Sequence, residues 1–158
     1  FYGEDLLTML RIFNNDYKIS YIDYVGRNWT MGGRSSSMKY DAMWQEDKFL
    51  YELCGNLLKE LNLNDRKYKE AMAKGLADCF INNISHYIAN PLRSKEKLAA
   101  WLKEQLNDKV WVNVTPLLDG EKYKAIKDKD DVALLQVATE KYKASQMFYT
   151  VMQFYKYL

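Results

Sequence analysis

NDRKYKEAMAKGLADCFINNISHYIANP, Asn64 to Pro91, is the stretch on which the fold turns. Tyr68, Met72, Leu76, Phe80, Ile84 and Tyr87 recur at helical spacing and give one apolar stripe. Asn64-Asp65 supplies short polar side chains able to cap the start of that helix, and Asn90-Pro91 ends it. The same period continues outward on both sides. Before it, Met43, Asp47, Leu50, Cys54, Leu57 and Leu61 predict a long helix from about Lys39 to Leu61. After it, Ser94 caps a third helix whose apolar face is Leu98, Trp101, Leu102 and Leu106. Asp130-Asp131 opens a last helix to about Tyr157, with a stripe of Leu135, Ala138, Tyr142, Ser145, Tyr149, Met152 and Tyr155. Met and aromatic residues at this spacing usually pack inward, so these stripes read as core.

Two shorter pieces interrupt the pattern. Lys109 to Val114 alternates and predicts a short strand or an extended strap, broken by Pro116. Glu121 to Lys127 predicts one or two helical turns. Asp128-Lys129-Asp130 has the letters of a metal-binding Asp-x-Asp, but it lies in a charged linker before the last helix and reads as a cap.

Composition narrows the class. A chain of 158 residues that is 48% hydrophobic and 28% charged has the material for a packed core and is not disordered. A net charge of +2, with lysines alternating with acids on helix surfaces, argues against a nucleic-acid platform. The two cysteines, Cys54 and Cys79, lie inside apolar helical patterns, too few for a disulfide framework; reduced thiols imply a cytoplasmic location. With His86 the one histidine, a zinc site or a histidine-dependent triad lacks its parts. No apolar run approaches the roughly 18 residues that span a bilayer, so no transmembrane segment is expected.

The first 37 residues differ in character. Glu4 to Phe13 predicts a short, largely buried helix, and Lys18 to Tyr24 alternates as a strand does. A polar, glycine-rich loop, Gly26 to Ser37, follows; loops longer than about 12 residues are usually functional or disordered. The reading is therefore a small α/β remnant, residues 1–37 with one helix and one strand, followed by a helical bundle of four to five helices over 38–158. Two constellations there carry chemistry. Glu4-Asp5 opens a helix, where the dipole and free N–H groups keep a carboxylate ionised and able to accept a proton; acids at that place are also common caps. Gly32-Gly33-Arg34-Ser35-Ser36 offers close backbone approach, a guanidinium and hydroxyls for phosphate oxygens; it serves equally as a connection between strand and helix.

Taken in order, Tyr2-Gly3-Glu4-Asp5-Leu6-Leu7, a buried helix, the strand Lys18-Ile19-Ser20-Tyr21-Ile22-Asp23, an aromatic residue, Gly-Gly-x-Ser-Ser and a long helix resemble the end of the catalytic domain in bacterial family 2 glycosyltransferases. These are inverting, A-type-fold enzymes of polysaccharide biosynthesis, and the resemblance covers about residues 1–38. It implies that Asp5 is the catalytic base that deprotonates the acceptor hydroxyl, with Glu4 orienting it. It implies that Trp29, Arg34, Ser35 and Ser36 belong to the loop over the donor diphosphate. Where family members often carry an arginine directly after the aromatic, this chain has Thr30. The partners implied are a nucleotide sugar and a glycan acceptor. A divalent metal, Mg or Mn, is expected in a full-length parent and none in this part, because the family's Asp-x-Asp half would precede Phe1. On that view the chain is a C-terminal fragment, inactive alone, cytoplasmic or held at the inner face of the membrane.

The competing expectation is a non-enzymatic helical module for interaction or oligomerisation, with Glu4-Asp5 a cap and the glycine loop a linker. In either case the helical extension, with its two long helices and aromatic C-terminus, could also serve a homodimer interface or dock at a membrane surface; self-association is the preferred expectation. The final helix carries only Lys141, Lys143 and Lys156 as cations, too few for a membrane-binding face.

Overall fold

The computed structural model describes residues 40–63, 65–89 and 94–155, all of them in helices or in the turns between helices. The chain divides into two units, Phe1–Asn64 and Asp65–Leu158.

In the first unit the described element is α1, Tyr40–Glu60. Trp44 and Asp47 are buried on it, while Leu50, Cys54, Leu57 and Leu61 are half-buried, as expected for one helix stripe against a core. Its end is set by Asn62, which takes the left-handed conformation at φ 55°. There the Leu63 N–H reaches the Leu58 carbonyl at 2.8 Å and the Asn62 N–H reaches Lys59 at 3.1 Å. That pair of backward bonds satisfies the last carbonyls and turns the chain out of the helix; asparagine is the non-glycine residue best suited to the position.

The second unit is built around α2, Arg66–Ile88. Its buried residues are Ala73, Leu76, Ala77, Phe80, Ile81, Asn83, Ile84, Ser85 and Tyr87, an arc of roughly 200° at 100° per residue. So wide an arc means that neighbours cover α2 on several sides. The remaining elements are α3 (Lys95–Leu106), α4 (Val110–Val114), 3-10 turns at Thr115–Leu117 and Glu121–Tyr123, α5 (Lys124–Lys127) and α6 (Asp131–Tyr155). Helix α2 packs most extensively on α6 and also against Thr115–Leu117; α3 meets α6 as well. Ala73 and Ala77 on α2 and Ala138 on α6 are buried small residues that suit close helix approach.

Local chemistry explains each start and stop. Ser94 caps α3 by accepting the Lys97 N–H at 3.1 Å. Asp108 accepts the Val110 N–H at 2.9 Å and so begins α4. Gly120 sits at φ 106°, ψ 150°, a region nearly closed to other residues, and opens the turn that precedes α5. Helix α5 ends as α1 does: Lys129 is left-handed at φ 55°, with Asp130 N–H on Ala125 and Lys129 N–H on Ile126. Asp130 then caps α6, accepting the Ala133 N–H at 2.9 Å.

The expected fold class is corrected. Among the described residues there are six α-helices and two 3-10 turns and no strand, so the architecture described is helical throughout and carries no α/β element. The segment expected as a strand or strap, 109–114, coils instead, because Trp111 and Val114, three apart, are the pair the core takes up. The helix and strand expected within residues 1–37 lie outside the described residues.

Candidate functional site

The candidate residues Glu4, Asp5, Trp29, Arg34, Ser35 and Ser36 lie outside the described residues. What it does place are three clusters in the second unit.

The first is aromatic. Phe80, fully buried on α2, lies 5.7 Å from the Trp101 ring and 5.2 Å from the Trp111 ring, both tilted. Such offset pairs contribute beyond their buried area. The Trp111 indole N–H donates to the Gln105 carbonyl at 2.8 Å, which satisfies its polar edge in a buried setting. The cluster ties α2, α3 and α4 together and leaves no face of Phe80 for a ligand, given its zero exposure.

The second is electrostatic. Lys122 reaches the Asp78 carboxylate at 2.5 Å, and its ammonium lies 5.2 Å from the centre of the neighbouring Tyr123 ring. The hydrogen bond to Asp78 is the main cause that raises Lys122 above the ordinary lysine value. Desolvation, then the Asp78 charge, raises the Tyr123 phenol. Lysine therefore stays cationic and the phenol neutral at pH 7, an arrangement that pins the Glu121–Tyr123 turn to α2. Burial also raises the Cys54 thiol and the Tyr51 phenol on α1, holding both in the protonated form.

The third is a surface. The first half of α6 is held by the unit: Leu134 and Ala138 are buried, and the Ser85 hydroxyl on α2 lies 3.0 Å from the Ala138 carbonyl and 2.9 Å from its own Ile81 carbonyl. Beyond Tyr142 this changes. Lys143, Ala144, Ser145, Gln146 and Met147 are all exposed, more than one full turn, while the helix itself continues to Tyr155. Ser145, expected in the core stripe, is exposed and bonds only to its own helix at Lys141. Val132, Gln136, Glu140, Ala144 and Met147 make one exposed stripe along α6, with Val132 at 64% and Met147 at 68% exposure. The aromatic stripe at Tyr142, Tyr149 and Tyr155 drew attention in the sequence and hid this second one.

Among the described residues no group of three or more His, Cys, Asp or Glu side chains converges to hold a metal ion. Nor is any helix there long and apolar enough to cross a membrane. Compared with protein-family models, curated proteins and solved structures, the chain matches none. The glycosyltransferase reading, with its nucleotide-sugar chemistry, is corrected on this ground: the described residues form a purely helical structure without the strand core on which an A-type transferase domain is built.

Proposed function

We propose that the chain is a non-enzymatic helical interaction module whose role is self-association into a homodimer through the distal half of its last helix. One observation carries this: α6 is exposed from Lys143 to Met147, more than a full turn, yet stays helical to Tyr155. A single helix of that length gains little from its own hydrogen bonds, and most helices owe their stability to an apolar face covered by something else. From Met147 onward the sequence is rich in Phe, Tyr, Met and Val, a composition suited to helix–helix contact. Cys54 and Cys79 stand outside any disulfide, which fits a reducing compartment, so we place this association in the cytoplasm.

Sedimentation equilibrium tests the reading, with the full chain and a version ending at Tyr142. The full chain is expected to move toward twice its monomer mass as concentration rises, and the shortened chain to stay monomeric with its other helices intact by circular dichroism. A full chain that stays monomeric at about 0.5 mM, where even weak pairs form, would end the reading.

A further inference from the structure

The joint between α4 and α5 holds a residue pair whose covalent chemistry the fold leaves open. Of the seven glycines in the chain, Gly120 alone follows an aspartate or asparagine. Asp119 and Gly120 are both exposed and lie in no helix. The Leu118 N–H donates to the Thr115 carbonyl and the Gly120 carbonyl accepts the Tyr123 N–H, each at 3.2 Å. Between those two bonds the backbone makes none with the described residues, and the Asp119 carboxyl has no partner among them.

We propose that Asp119 is a site of backbone isomerisation, where aspartate is converted to isoaspartate through a cyclic imide. The Gly120 amide nitrogen attacks the side-chain carbonyl carbon of Asp119 in its acid form. A C–N bond forms, the carbon–hydroxyl bond breaks, and the hydroxyl leaves with the amide proton as water. Water then adds to one of the two imide carbonyls. Opening at the side-chain carbonyl restores aspartate. Opening at the main-chain carbonyl leaves the chain running through the side chain, as isoaspartate. The water released in the first step is balanced by the water consumed in the second.

The site favours each step. Glycine has no Cβ to crowd the attacking nitrogen. Apart from its chain neighbours, nothing lies within 4 Å of where a Gly120 Cβ would stand, so the ring has room. The other aspartates of the second unit lack this combination. Asp78 is tied to Lys122, while the Asp108 and Asp130 carboxylates hold backbone N–H groups. Asp128 precedes Lys129, whose N–H is taken by Ile126. Asp65 and Asp131 are followed by Arg66 and the β-branched Val132, whose side chains crowd the nitrogen.

Isoaspartate adds one carbon to the main chain. Here it enters between two buried anchors, Leu118 and Tyr123, beside the turn whose Lys122 reaches Asp78. The link lengthens, and the seat of the Glu121–Tyr123 turn on α2 loosens.

Storage of the folded full chain at neutral pH and physiological temperature tests this. After trypsin digestion, the peptide Val110–Lys122 carries Asp119 as its one aspartate, and its isoaspartyl form separates by reversed-phase chromatography. Isoaspartate is expected there at a rate at least about tenfold above that of any other aspartate of the second unit, for want of a Cβ on the attacked side. Asp119→Glu, whose longer side chain cannot close the five-membered ring, should abolish it. Isoaspartate at this peptide only in urea-unfolded chain means that the fold holds the joint shut, and overturns the proposal. So does faster isomerisation at another aspartate of the unit. A stored sample rich in isoaspartate should unfold at lower urea than fresh chain; an unchanged midpoint overturns the loosening of the turn.

Discussion

The two halves of α6 are one continuous helix with two environments. From Asp131 to Tyr142 it is seated on α2 and α3, with Leu134 and Ala138 buried and the Ser85 hydroxyl reaching across to its backbone. From Lys143 to Met147 every residue is exposed. Intrinsic propensity does not make this difference, since the exposed turn holds good helix formers such as Lys, Ala, Gln and Met. The difference is what lies alongside. The inner half is stabilised by neighbours in its own chain, and the turn from Lys143 to Met147 has none of that cover.

A matched pair of truncations should break this comparison most clearly. Leu134→Ala removes a fully buried side chain from the inner half and should cost about 2–5 kcal/mol. Met147→Ala, on the outer half, should leave the unfolding free energy of a dilute, monomeric sample, read from urea titration, within about 0.5 kcal/mol. Equal losses at the two sites would show that the outer half is packed in the monomer.

Ser85→Ala sharpens the comparison at a polar contact between α2 and the inner half. The hydroxyl is buried between two carbonyls of different helices, and its loss should cost about 1 kcal/mol, read from thermal unfolding. The monomer–dimer equilibrium should not move. A shift in dimerisation without a loss of stability would mean that the two halves are coupled.

The smallest effect concerns the Lys122–Asp78 pair and Tyr123, which hold the approach to α6. Both Lys122 and Tyr123 have their folded-state values raised, from 10.5 and 10.0 respectively. A raised value favours the protonated form in the fold, so this stabilisation is complete below about pH 10 and is lost as pH climbs above it. Chemical denaturation is expected to be flat in these groups from pH 7 to 9 and to weaken beyond pH 10, less steeply in Tyr123→Phe. Because Lys122 and Asp78 are each more than a third exposed, the pair contributes well under about 1 kcal/mol.

Much of the helical skeleton was legible because long stripes leave little ambiguity. The stretch around Phe80 and Ile84, the Ser94 cap and the Asp130 cap all follow from residue type and spacing, and each is seen in the structure. Val110 to Val114 was not legible. Alternating valines at 110, 112 and 114 compete with the Trp111–Val114 pair at helical spacing, and over so short a run either period fits; tertiary burial of Trp111 decides it. Asn83 and Ser85 were missed as core residues because side-chain polarity gives no sign that a helix will be surrounded. On α6 the stripe through Ser145 was extended too far, since periodicity describes a helix face but not where its cover ends.

The burial of Trp111 has an optical consequence. Its indole is held dry, 2% exposed, with its N–H on the Gln105 carbonyl and its ring against Phe80. Together with Trp101 it makes the second unit report its own packing through tryptophan emission, while Lys143 to Tyr155 contains no tryptophan. Unfolding of the core therefore changes the colour of the light, and a change confined to the last turns of α6 leaves it unchanged.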